Sequence, residues 1–230
     1  MQRLKCWVQM RLQLKNNMHK PSPKTQDQSG RDLGSRALKT RQKFLDATAK
    51  LLEERSVLDI SVTEIARQVD SVSSLFYHYF KDVEDAAQQL AQEASAEMPA
   101  IVELIDGSWE GKEGLDRAHK LVEAYLLHWE KYHGVLLLRN HAADRGDKVF
   151  HAIRRDALEP LIGKLRDVIM ESQRKGKIAK DLHPYLAASA LVSILEKLSA
   201  YSRNIKRFDA SQKELVDTCA RMVYNTLTGQ

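Results

Sequence analysis

Proline occurs 5 times and glycine 10 times in 230 residues. That is too few for the many tight turns of a β-sandwich or barrel. No apolar run reaches the roughly 18 residues a membrane-spanning helix needs, so no membrane partner is expected. Cysteine is limited to Cys6 and Cys219, at opposite ends of the chain. A cytoplasmic protein with unpaired thiols is the simplest account. The basic opening MQRLKCWVQMRLQLKNN has no apolar core before a small-residue cleavage site and makes a poor signal peptide. Met10 and Met18 stand as alternative starts. Catalytic signatures are missing too. His119, His128, His133, His141 and His151 recur without HExxH or CxxC pairing, and neither GxSxG nor a phosphate-cradling glycine loop occurs. Neither an enzyme nor a metal or cofactor site is expected.

The hydrophobic share, 43%, is that of an ordinary globular protein and allows a sizeable core. Charge is uneven. Residues 1–81 hold 15 Lys/Arg against 8 Asp/Glu, and the remaining residues 21 against 23. A positive field concentrated at one end attracts phosphates and releases their counterions. Residues 1–36 are polar, lack sustained periodicity and are expected to form a basic, disordered extension. That extension reads either as an arm reaching a DNA backbone or minor groove, or as a solubilising tail.

Helical periodicity starts at Leu38. Phe44, Ala47, Thr48, Leu51 and Leu52 share one face, with Lys43, Lys50 and Glu54 opposite. SVLD reads as a connection. Ser61 with Glu64 three residues on forms a capping box that opens helix two, whose Ile65, Ala66 and Val69 face inward. Asp70-Ser71 makes a turn, Ser71 is the expected cap of helix three over Val72–Tyr79, and Asp82 caps helix four. Two short helices joined in this way suit the major groove, the first lying across the backbone and the second meeting base edges. Later helices are expected over 99–105, 115–132, 149–174, 183–204 and 210–227, with Pro160 kinking the 149–174 helix or marking a new start inside it.

Residues 41–90 resemble the DNA-binding domain of the TetR family of bacterial one-component transcription regulators. The resemblance rests on Arg41, on Ser61, Thr63, Ile65 and Ala66, on the run Tyr77 to Lys81 and on Glu84 and Asp85. Asp70 stands where the family usually has glycine, Ser74-Leu75 replaces a small Gly-Thr pair, and Val72 and Val83 occupy the customary serine and lysine positions. The resemblance implies an all-α fold. Residues 37–84 would form a three-helix helix-turn-helix DNA-binding domain, and 85–230 a larger helical ligand-binding and dimerisation domain.

Thr63 and Lys81 are expected at phosphates, as is Tyr77 through its hydroxyl, and Arg41 reads as reaching the DNA backbone or a minor groove, or as a solvated surface residue. Ser73 and Ser74 read either as base-edge contacts or as ordinary helix-start residues. Leu75 reads either as a thymine-methyl contact or as packing against helix one, and His78 should be exposed. Phe76, Tyr79 and Phe80 are expected in the core. Trp109, Tyr125, His128, Trp129, Tyr132 and Phe150 are rich in aromatics and poor in charge, so they either line an apolar pocket or fill a core. The resemblance favours the pocket. It also implies a homodimer through the last two helices, a near-palindromic operator on double-stranded DNA, and repression relieved by a hydrophobic small molecule. The competing reading keeps the DNA binding but replaces the small molecule with a recruited protein.

Overall fold

The computed structural model describes residues 27–230. The basic extension before Asp27, with Cys6, Met10 and Met18, lies outside them. The described chain is all-α, with no strand among the described residues. Its helices are α1 (Ser35–Leu52), α2 (Val62–Gln68), α3 (Ser73–Tyr79), α4 (Val83–Ser95), α5 (Met98–Val102), α6 (Gly111–Lys131), α7 (His133–Asp144), α8 (Lys148–Arg174), α9 (Pro184–Tyr201) and α10 (Gln212–Thr228). None is long and apolar enough to cross a membrane. Two compact units divide the described residues, one from residues 27–96 and 129–157, the other from 97–128 and 158–230. The boundary expected from the sequence lies at residue 84.

The first unit is built around α1, which packs against α2, α3, α4 and α7. Its apolar face inserts Phe44, Leu45 and Leu51 among Ile65, Phe76, Phe80, Leu90, Val135 and Phe150. Phe44 meets Phe76 edge to face at 5.5 Å between ring centroids, and Phe76 lies 5.0 Å from Phe80. Full burial of each such side chain contributes about 1.5–3 kcal/mol, so these rings hold α3 in place. Phe76, Tyr79 and Phe80 are in the core as expected.

Several local expectations change. Residues 27–34 make defined backbone and side-chain bonds and α1 starts at Ser35, both within the stretch expected to be disordered. SVLD closes a 3₁₀ turn over Val57–Asp59. Ser61 caps α2 by accepting from the Glu64 N–H, but the Glu64 carboxylate pairs with Arg55 instead of reaching back. Ser71 does not cap α3. The cap position is Val72, with no side-chain bond, because the Ser71 N–H is drawn to the Ala66 carbonyl at 2.9 Å. The segment α7 was not foreseen. Pro160 neither interrupts nor restarts α8.

In the second unit, α9 packs on α10. Leu191, Val192, Leu195, Leu215, Cys219, Val223 and Leu227 are buried, whereas Leu186, Ile194, Tyr201 and Met222 are exposed. The apolar residues of α9 are therefore divided between core and surface. Ser211 and Glu214 form a complete capping box at the start of α10. The Ser172 hydroxyl donates to the Leu227 carbonyl at 2.6 Å and ties α8 to α10. The loop before α6 is fixed by Trp109, whose indole N–H donates to the Ile105 carbonyl at 2.9 Å.

Candidate nucleic-acid interface

Asp70 is the hinge between α2 and α3. Its φ of 51° lies in the left-handed region, which costs an L-residue about 1–2 kcal/mol and glycine almost nothing. Aspartate tolerates it better than most. Asp70→Gly is therefore expected to raise stability by roughly 0.5 kcal/mol, the strain relief being partly offset by the freer unfolded glycine. A loss of stability in urea unfolding would show that the Asp70 carboxylate contributes something glycine cannot.

The turn leaves one side of the α2–α3 pair facing solvent. Thr63, Ser74, Leu75, Tyr77, His78 and Lys81 are exposed, and Ser73 is half-buried. The Ser73 hydroxyl lies 3.4 Å from the Thr63 hydroxyl and links the two helices. Seven of the eight expected DNA contacts thus lie on or around this helix pair. The eighth does not. Arg41 is 2% exposed, its guanidinium donates to Gln89, faces Glu93 at 3.6 Å and lies 5.4 Å over the Phe80 ring. Burial pulls its basicity down, while Glu93 and Asp85 work against that shift. Arg41 is a structural cation of the α1–α4 packing, not a phosphate contact.

Sequence reasoning missed four features of this face. Val72, at the cap of α3, is 62% exposed. Arg67 and Gln68 are exposed at the end of α2. Finally, residues 27–31 clasp the far end of α3. Gln28 N–H donates to the His78 carbonyl at 3.1 Å, and its amide donates to the Tyr79 carbonyl at 3.0 Å. Asp27 sits 3.4 Å from the His78 imidazole. One Asp27 oxygen also accepts from the Ser29 N–H, the Ser29 hydroxyl and the Arg31 N–H. The Arg31 N–H first, then the Ser29 hydroxyl, hold this carboxyl below the usual carboxylate range. The signal was present as Asp-x-Ser-Gly, an aspartate bonding to its own backbone two residues on.

The six residues expected to line a pocket divide between the units. Trp129, Tyr132 and Phe150 belong to the first, and Phe150 is a core residue there beside Phe44 and Ile153. It is a filled-core side chain, because α8 begins by completing the packing around α1. Trp109, Tyr125 and His128 belong to the second unit and are buried. Tyr125 and His128 are one turn apart on α6, so they share a face. His128 Nδ1 lies 3.9 Å from a Glu97 carboxylate oxygen, with both side chains almost fully buried. Ser199 and Glu196, one turn apart on α9, are also buried polar residues of this unit. Sequence reading passed over Glu97 and Ser199, since a lone acidic or hydroxyl residue in an amphipathic helix gives no sign of which way it faces.

The family model described as the tetracyclin repressor-like C-terminal domain matches residues 101–230. No curated protein matches the sequence. The fold is shared with solved structures. The fatty acid degradation regulator FadR from Bacillus halodurans has a TM-score of 0.59 at 18% identity, covering 86% of this chain and 98% of its own. FadR from Bacillus subtilis in complex with stearoyl-CoA gives 0.59 at 15%, covering 82% and 98%. The ketosteroid transcriptional regulator KstR2 of Mycobacterium tuberculosis gives 0.62 at 19%, covering 83% and 94%. A family model spanning more than half of the sequence, on a helical fold that carries an exposed helix-turn-helix, establishes that this chain belongs to the TetR family of transcriptional regulators.

Proposed function

We propose that the protein is a cytoplasmic repressor that binds a near-palindromic operator as a homodimer and is released by a hydrophobic small molecule. The observation that carries this reading is the solvent-facing α2–α3 pair, held by a buried aromatic core and edged by Tyr77 and Lys81. Tyr77 and Lys81 serve as phosphate contacts, positioning the protein without reading sequence. The exposed apolar residues Leu186, Ile194, Tyr201 and Met222 on α9 and α10 supply the surface for a second subunit. Two such subunits read half-sites about one helical turn apart.

The effector reading centres on Tyr125, His128 and Glu97 in the second unit. An apolar interior with a few buried polar groups suits a largely apolar molecule carrying one polar end. That FadR of Bacillus subtilis was solved with stearoyl-CoA supports a fold able to accept a long apolar ligand. Effector and DNA would each favour a different arrangement of the protein. The coupling is reciprocal, so operator DNA must weaken effector binding by the factor by which effector weakens DNA binding.

Two measurements test this. Alanine at Tyr77 and Lys81 is expected to weaken binding to every duplex, with Lys81→Ala reducing the slope of log affinity against log salt by about one. An unchanged slope counts against a phosphate role. A thermal-shift screen of apolar compounds, paired with operator release, tests the effector. Compounds that raise the melting temperature should free the DNA, and His128→Ala should blunt both effects together. A screen in which no stabilising compound releases DNA rejects the small-molecule switch.

A further inference from the structure

The solvent-facing side of α3 lacks the side chains that usually distinguish base pairs. Its sequence, Ser73–Tyr79, contains no Arg, Lys, Asn or Gln. Those residues make the bidentate pairings to guanine and adenine in the major groove. Of the hydrogen-bonding groups present, the Ser73 hydroxyl is turned to Thr63 and the His78 imidazole to Asp27. Beside the short Ser74 hydroxyl, the start of the helix exposes two apolar side chains, Val72 62% and Leu75 36% accessible. The Leu75 N–H donates to the Val72 carbonyl at 3.1 Å, so the two side chains are joined by a single turn. Val72 is the extended cap residue and Leu75 the third residue of the helix, so both side chains stand at its exposed start.

We infer that Val72 and Leu75 are specificity-determining residues that read thymine through its C5 methyl group. The inference rests on the DNA-binding reading above and extends it to operator composition. The methyl is the one apolar feature that a base pair presents in the major groove, and apolar side chains are its natural contacts. Three residues of helix rise about 4.5 Å, and successive base pairs along a strand are about 3.4 Å apart. The two contacted thymines are therefore adjacent or separated by one base pair. Such an interface discriminates thymine from cytosine by shape and apolar contact instead of by hydrogen bonds. The half-site is accordingly expected to carry these thymines where a guanine-reading arginine would otherwise demand G.

The test uses the full-length protein. Sites are first enriched from random duplexes, and each thymine of the enriched site is then replaced singly by deoxyuridine, which pairs alike but lacks the methyl. Burying one methyl-sized group is worth about 0.8 kcal/mol, so a loss of about fourfold is expected at each contacted thymine. Two such positions per half-site are expected. Val72→Ala should become indifferent to the replacement at one of them and Leu75→Ala at the other. Both side chains are exposed, so neither variant should disturb the fold, and the deoxyuridine series on the unaltered protein needs no variant at all. Enriched sites whose affinity ignores every deoxyuridine overturn the inference and leave DNA binding intact. Discrimination that survives in both variants also overturns it. Failure to enrich any sequence overturns the DNA-binding reading beneath it.

Discussion

Gly134→Ala is expected to destabilise the protein by about 3 kcal/mol, at the upper end for an overpacked site. Gly134 lies in the first turn of α7, against the end of α1. A Cβ built there would meet the Leu52 carbonyl oxygen at 2.5 Å, the Leu52 carbonyl carbon at 2.6 Å and the Glu53 nitrogen at 2.8 Å. All three are backbone atoms, so no side-chain rotation relieves the clash. The Gly134 N–H also donates to the Glu53 carboxylate at 2.8 Å, which pins the helix start from the other side. The sign is what makes the measurement decisive. In an open helix, alanine for glycine is favourable by about 1 kcal/mol. A lowered urea midpoint identifies close docking of α7 on α1, and a raised one would mean that the two do not meet there. Weakened DNA binding should accompany the loss, since α7 shares a core with the helix pair that faces solvent.

Arg41→Ala should lower stability by about 3 kcal/mol, because withdrawing one partner of a buried pair costs far more than losing a surface ion pair. The cation facing Glu93, the bond to Gln89 and the packing on Phe80 all go at once. Arg41→Met in the Glu93→Gln background should recover much of this, since it restores the side-chain volume and removes the opposing charge. At a temperature where the variant is still folded, its affinity for DNA should stay within about twofold of the parent, with an unchanged salt slope. Lost affinity at an unaltered melting temperature would return Arg41 to the DNA surface.

Much of the helix-turn-helix could be read in advance because its signals are local. Ser61 and Asp82 each accept the N–H three residues on, and Asp70 takes the left-handed turn. The inward Ile65 and Ala66 follow from helical spacing, and the inward Phe76 and Phe80 from the area an aromatic ring buries. What escaped depends on distant partners. Arg41 has an ordinary exposed-face character until α4 lays Gln89, 48 residues away along the chain, opposite it together with Glu93. The helix α7 hid because Val135 to Leu138 form an unbroken apolar run behind His133-Gly134, without the polar spacing that marks a helix face. Phe150 resembled a pocket residue because aromatic composition does not reveal which neighbours it fills.

The first compact unit is written in two separated parts, and residues 129–157 return to supply Val135, Ala143, Phe150 and Ile153 to its core. A gene fragment ending at residue 96 would therefore encode every solvent-facing side chain of the α2–α3 pair and still deliver it with a hole in its floor. During synthesis the nascent helices must wait for that missing piece to leave the ribosome. At about 5–20 residues per second the delay from residue 96 to 157 is roughly 3 to 12 seconds, during which the apolar side of α1 stands open to chaperones or to another growing chain.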